Sequence, residues 1–170
     1  MRNQFEQTVL PHLDAAYNLA RWLTGQDQDA EDVVQEAYLR AFKFFDGFRG
    51  GDSRAWMLTI VRHTAYSWLR QNRAGDLNTP LDEEQPTADT LSVSSEDTLM
   101  ETIDHQVLHE AIAGLPLIFR EVIILHDLEG LAYKEIAAVV NIPIGTVMSR
   151  LARARRQLYH QLADRLNKEA

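Results

Sequence analysis

Between residues 74 and 97 the chain runs Ala-Gly-Asp-Leu-Asn-Thr-Pro-Leu-Asp-Glu-Glu-Gln-Pro-Thr-Ala-Asp-Thr-Leu-Ser-Val-Ser-Ser-Glu-Asp. This is proline, serine, threonine and acid with little to bury, so it reads as a flexible linker. The charge pattern follows the same division. Of 170 residues with a net charge of −8, residues 74–110 hold 10 acidic side chains and no basic one, whereas residues 1–73 hold 9 of each and residues 111–170 hold 8 basic and 6 acidic. Screening cuts interactions beyond roughly 8 Å at physiological salt, so each flank acts through its own local charge, not through the total.

Both flanks carry apolar residues at helical spacing, and few segments alternate with period two. The pattern predicts helices over 4–23 (ended by Gly25), 29–45 (broken by Gly47, Gly50 and Gly51) and 53–73, with Ser53 as N-cap. In that third helix Trp56, Ile60, Ala65 and Leu69 are expected to face inward. Further helices are expected over 98–113, 116–128, 133–140 and 144–166. The predicted fold is all-α: two small helical domains, 1–73 and 98–170, joined by a flexible acidic linker over 74–97, the second containing a helix-turn-helix.

Several function classes recede. The absence of cysteine excludes disulfides, thiolate metal sites and thiol redox sensing. No apolar run is long enough to span a bilayer, and the N-terminus has no signal-peptide stretch, so a cytoplasmic protein without a membrane partner is expected. His105 and His109 stand at i, i+4 near Glu101, but a zinc site needs further ligands, so surface histidines are expected and no metal or other cofactor. His126-Asp127 resembles a catalytic pair only in composition, since no nucleophile motif accompanies it.

The stretch from Leu131 to Leu158 bears the chemistry. Its first helix should stop near Val140, because Asn141 tolerates the left-handed conformation and Pro143 cannot continue a helix. In the second, Val147, Leu151, Ala154 and Leu158 form an apolar stripe, while Thr146, Ser149, Arg150, Arg153 and Gln157 form a polar, basic one. A helix that buries one side and offers hydroxyls and guanidinium groups on the other suits a major groove. The third predicted helix is also cationic: from Ser53 to Gly75 there are four arginines and no acid. Arg62, Tyr66, Arg70 and Arg73 share a stripe with His63 and Ser67 beside them, as backbone tracking with base stacking requires; a plain solvated face is the alternative.

These segments, with Asp29-Ala-Glu-Asp-Val-Val-Gln-Glu-Ala-Tyr-Leu-Arg-Ala-Phe42, resemble a family. The 29–42 stretch is similar to the polymerase-docking segment of bacterial sigma factors. Arg54-Ala-Trp-Met-Leu-Thr-Ile-Val-Arg-His-Thr-Ala-Tyr-Ser-Trp-Leu-Arg-Gln71 is similar to their promoter-melting segment. The residues from Leu115 to Arg156 are similar to their −35 reader. The extracytoplasmic-function group, which keeps only the second and fourth sigma domains, is the nearest likeness.

The resemblance implies a detachable specificity subunit, not an enzyme, with core RNA polymerase and promoter DNA as partners and an anti-sigma factor as a further one. Asp29, Asp32, Gln35, Glu36 and Arg40 would dock on polymerase. Arg62, His63, Tyr66, Ser67, Arg70 and Arg73 would hold the opened −10 element. Thr146, Met148, Ser149, Arg150 and Arg153 would meet the −35 bases, Met148 by apolar contact to a thymine methyl. Lys134, Arg155 and Arg156 would hold phosphates, which set register without reading sequence. Ala132, standing where the family often has a Ser or Thr cap, implies a less firmly started helix. The acidic tether would pass through the RNA exit path as a nucleic-acid mimic or serve as a solubilising spacer, and it would shield the basic helices of the free chain. A stand-alone helix-turn-helix regulator is the competing reading; it leaves the 29–42 and 53–73 segments unexplained.

Overall fold

A computed structural model describes residues 2–72 and 105–169. The expected linker, Arg73 and the start of the expected 98–113 helix lie outside the described residues. Among the described residues every regular element is helical and none is a strand.

The N-terminal unit comprises α1 (Arg2–Val9), α2 (Leu13–Thr24), α3 (Asp27–Lys43) and α4 (Ser53–Asn72). The single helix expected over 4–23 is interrupted. Pro11 lacks an N–H and its ring crowds the preceding turn, so a 3-10 turn over Leu10–His12 separates α1 from α2. Gly25 ends α2 as expected, in the left-handed region at φ 91° with its N–H on the Arg21 carbonyl.

α3 begins two residues earlier than its pattern suggests. Asp27 accepts hydrogen bonds from Arg21 Nε (2.6 Å) and Tyr17 Oη (3.1 Å), which tie its first turn to α2. Its buried face, Ala30, Val33, Ala37 and Ala41, is mostly small, so α3 can lie close against α2 and α4. Phe5 of α1 closes the end of the unit, with Tyr38, Phe42 and Phe45 edge-on around it at 5.1, 5.1 and 5.3 Å. Such aromatic pairs add about 0.5–1.5 kcal/mol each beyond burial.

α4 departs from expectation at two points. Its cap is Asp52, whose Oδ1 accepts the Ala55 N–H at 3.0 Å, while Ser53 Oγ meets His12 Nε2 at 2.9 Å. Met57, Leu58, Val61, Ala65 and Leu69 are buried, but Trp56 and Ile60 only partly. The reason is that α4 has packing partners on two sides, α2 and α3 on one and the C-terminal unit on the other. Its apolar residues therefore follow no single stripe.

The C-terminal unit comprises α5 (His105–Ala113), α6 (Leu117–Ile123), α7 (Tyr133–Val140) and α8 (Ile144–Glu169). α6 runs on through a π-helical turn, Ile124–Leu128, where the Glu129 N–H reaches back to the Ile124 carbonyl (2.9 Å). Phe119, Val122, Ile123, Ile124 and Leu125 are all buried, as in a helix surrounded by partners. The two units pack together, α4 on α7 and α2 on α6, and the buried side chains form one continuous cluster.

Candidate nucleic-acid interface

α7 and α8 build the expected two-helix head. Asn141 sits in the left-handed region at φ 64° and ψ 52°, and its N–H and that of Ile142 both bond to the Ala137 carbonyl (2.8 and 3.1 Å). That closes the last turn of α7. Pro143 then precedes α8, whose Thr146 and Val147 N–H groups bond back to its carbonyl. The helices turn through 99° at this break, within the range of DNA-binding helix pairs. Glu135 accepts the Ala132 N–H at 2.8 Å, so the glutamate half of a capping box starts α7 although alanine supplies no side-chain oxygen.

The two faces of α8 separate as their spacing predicts. Val147, Leu151, Ala154 and Leu158 are buried. Met148, Ser149, Arg153 and Arg156 are exposed, while Thr146, Arg150 and Gln157 are half-buried. Lys134 is exposed on α7. Arg155 is engaged within the chain, donating to Asp127 Oδ1 at 2.8 Å and so bracing α8 against the end of the π turn. Ile144, 45% exposed, adds an apolar residue one turn before Met148 that lies outside the polar stripe.

The cationic face of α4 has a different setting. Arg62 donates to both carboxylate oxygens of Glu121 on α6, Nε at 2.5 Å and Nη2 at 3.1 Å. Tyr66 Oη donates to the same carboxylate at 2.9 Å, and the Arg62 guanidinium lies 4.3 Å from the Tyr66 ring centre. Glu121 is fully buried. Burial penalises the Arg62 cation, but Glu121 more than offsets this and its pKa is raised. Burial, and then the Glu121 charge, also push the Tyr66 phenol upward, so it stays protonated as a donor. His63 and Arg70 are exposed and Ser67 half-buried, with Arg70 Nη2 3.5 Å from Ser67 Oγ.

Other contacts join the units around this centre. Arg54 donates to the Glu129 carbonyl (3.2 Å) and lies 3.5 Å from Glu135. Arg120 donates to the Trp22 carbonyl (2.9 Å), and the Trp22 and His109 rings lie 4.4 Å apart, tilted by 34°. Asn18 Nδ2 reaches Glu129 Oε2 at 3.4 Å. Asp52 is held below the usual carboxylate range, first by its hydrogen bond with Glu135 and then by the Ala55 N–H. A signal for Glu121 is present in the sequence: a lone acid inside Phe119-Arg-Glu-Val-Ile-Ile-Leu125 must find a cation if it is buried.

On α3 the expected docking residues Asp32, Gln35 and Glu36 are exposed, Asp29 is half-buried, and Arg40 pairs with Glu36 at 2.5 Å. Leu39, 67% exposed, and Phe42, 50% exposed, share that part of the helix and make the surface more apolar than its charges suggest. Among the described residues no group of three or more acidic or histidine side chains could hold a metal, and no single helix is long and apolar enough to cross a membrane.

Residues 8–75 match the sigma-70 region 2 family and residues 105–158 the sigma-70 region 4 family. The extracytoplasmic-function (ECF) RNA polymerase sigma factor SigE of Mycolicibacterium smegmatis is 33% identical over 171 residues, covering 98% of this chain and 64% of that protein. The chain thus spans a little under two thirds of that relative. The ECF RNA polymerase sigma-E factor of Escherichia coli K12 is 36% identical over 134 residues, covering 75% of this chain and 70% of the relative. Among solved structures, the sigma factor RpoE in complex with the anti-sigma factor NepR from Bartonella quintana superposes with a TM-score of 0.71 at 30% identity, over 94% of this chain and 97% of that one. CnrH in complex with the cytosolic domain of CnrY gives 0.62 at 25% identity, over 96% and 90%. With a region 2 unit followed by a region 4 unit that carries the helix-turn-helix, the chain belongs to the extracytoplasmic-function group of RNA polymerase sigma factors.

Proposed function

We propose that this chain is a cytoplasmic transcription-initiation factor that binds core RNA polymerase and directs it to promoters through their −10 and −35 elements. It lends recognition and strand opening to an enzyme and is not one itself. The observation that carries the reading is the α8 face: Met148, Ser149, Arg153 and Arg156 lie exposed opposite a fully packed apolar stripe, on a helix set at 99° to its partner. That is the shape and chemistry a major groove accepts. A stand-alone regulator would leave α3 and α4 without a task.

The roles divide by location. Thr146, Met148, Ser149, Arg150 and Arg153 meet −35 base edges, and Lys134 and Arg156 meet phosphates, while Arg155, the third cation expected on phosphates, is engaged by Asp127. Arg62, His63, Tyr66, Ser67, Arg70 and Arg73 hold the opened −10 strand, where a base taken from the stack costs a few kcal/mol. Asp29, Asp32, Gln35, Glu36 and Arg40, with Leu39 and Phe42 beside them, dock on polymerase. An anti-sigma factor is a natural regulator, since RpoE is found in complex with the anti-sigma factor NepR.

In vitro transcription with core polymerase over a randomised promoter library tests the whole reading. Transcripts should start from a defined pair of elements. Arg150→Ala and Arg153→Ala should relax the upstream element, by ~1–3 kcal/mol for each bidentate base pairing removed. Tyr66→Ala and Arg62→Ala should impair the downstream one. A library profile left intact by all four variants rejects the site assignments.

A further inference from the structure

We propose that Glu121 is an intramolecular latch: in the free chain its carboxylate occupies the strand-holding face of α4, so that this face becomes available only when the two helical units part. The proposal rests on reading α4 as the strand-holding helix.

The geometry carries the argument. A carboxylate presents two oxygens in a plane, much as a phosphodiester presents two non-bridging oxygens. Arg62 and Tyr66 place three donors on those oxygens, at 2.5, 3.1 and 2.9 Å. They are two of the side chains assigned to the opened strand, and with Glu121 seated they cannot hold a backbone phosphate as well. Glu121 is completely buried and its segment is otherwise apolar apart from Arg120. A buried carboxylate needs a cation, and the one it finds is on the other helical unit.

The polar part of the contact favours release. A permanent junction is most stable when apolar, because a buried ion pair loses hydration that its Coulomb attraction only partly returns. Beside the apolar cluster that the two units share, further polar contacts surround the latch: Arg54 on the Glu129 carbonyl, Arg120 on the Trp22 carbonyl, Asn18 on Glu129 and Arg54 near Glu135. Each of these recovers water when the units separate. The apparent affinity of a site is its intrinsic affinity scaled by the fraction of competent molecules, so a mostly closed chain holds nucleic acid weakly. The shielding carboxylate is then Glu121 and not the acidic tether.

The test uses the full-length chain without polymerase. Because no natural cysteine is present, Gln28→Cys and Asp164→Cys accept a dye pair, one on each helical unit. Energy transfer reports closure, and binding of a fluorescent random-sequence single-stranded DNA pool reports availability of α4. The parent should show high transfer and weak binding. Glu121→Ala should lower transfer and tighten strand binding by about tenfold or more, as expected if fewer than one molecule in ten is open in the parent. Glu121→Gln, which keeps the side-chain shape and loses the charge, should move both readouts the same way and guards against a folding defect in the alanine variant. Combining Arg62→Glu with Glu121→Arg should restore high transfer. Replacing Asp82, Glu83, Glu84 and Asp89 with Ser should change neither readout.

Unchanged transfer and binding in both Glu121 variants overturns the latch while leaving the role of α4 to the promoter library. Loss of transfer without tighter strand binding overturns the masking of α4. A gain from the tether substitutions equal to that from Glu121→Ala overturns the assignment of the shielding group.

Discussion

The outer face of α8 and the cationic face of α4 are written in much the same chemical language, yet the fold treats them in opposite ways. On α8, Ser149, Arg153 and Arg156 stand on the surface with Met148 and Ile144 beside them. On α4, Arg62 and Tyr66 are turned into a junction and close on a fully buried carboxylate. A basic stripe on a helix therefore states what a face can bind. Whether that face is open depends on what the rest of the chain lays against it.

The largest effect that separates the two faces is on stability. Arg62→Ala leaves Glu121 buried without its cation and should weaken the closed arrangement by about 3–5 kcal/mol, limited by the point at which the units simply open. Arg156→Ala, on an exposed face, should stay within about 0.5 kcal/mol. Urea unfolding of the two variants beside the parent measures the contrast, and equal losses would erase it.

A second, intermediate effect lies within α8. Arg156 is exposed, whereas Arg155 is engaged by Asp127. If Arg156 neutralises one phosphate, Arg156→Ala should flatten the salt dependence of promoter binding by the polymerase complex by about 0.9 in log–log slope. If the Asp127 pair occupies Arg155, Arg155→Ala should leave that slope in place and cost ~0.2–1 kcal/mol of stability, as for other half-exposed pairs. Reversal of the two slopes would exchange the roles.

The smallest effect concerns the start of α4. Burial first, and the Arg54 charge second, hold the His12 imidazole below its ordinary value of 6.5, with Asp52 opposing them. The unfolded chain then binds more protons than the folded one just below that value. The stability associated with neutral His12 is present above about pH 6.5 and is lost as the pH falls toward its lowered folded value. His12→Gln should flatten this part of the pH profile, read from urea midpoints at about pH 7.5 and 5.5. An unaltered slope would remove His12 as its source.

Much of the fold is legible in the sequence because its signals are local. Asn141 and Pro143 mark the break between α7 and α8, Gly25 ends α2, and the 3.6-residue stripe of α8 picks out its buried side. The departures have physical causes as well. Apolar periodicity continues across Pro11, but the ring and the missing N–H end the helix there. Ser53 is a sound cap by residue type, yet Asp52 competes better because a carboxylate is the stronger acceptor for the Ala55 N–H. The inward face of α4 is hidden from pattern reading because a helix packed on two sides has no single apolar stripe.

Residue order alone determined that this is an all-helical chain with two cationic helices, one of them in a helix-turn-helix, because periodicity, caps and breakers act over a few neighbouring residues. Only the tertiary structure decided that Arg62 and Tyr66 meet Glu121, 59 and 55 positions further along, and that Arg155 meets Asp127. Pairings across such distances depend on which faces pack, and a buried charge seeks its partner in space, not along the chain.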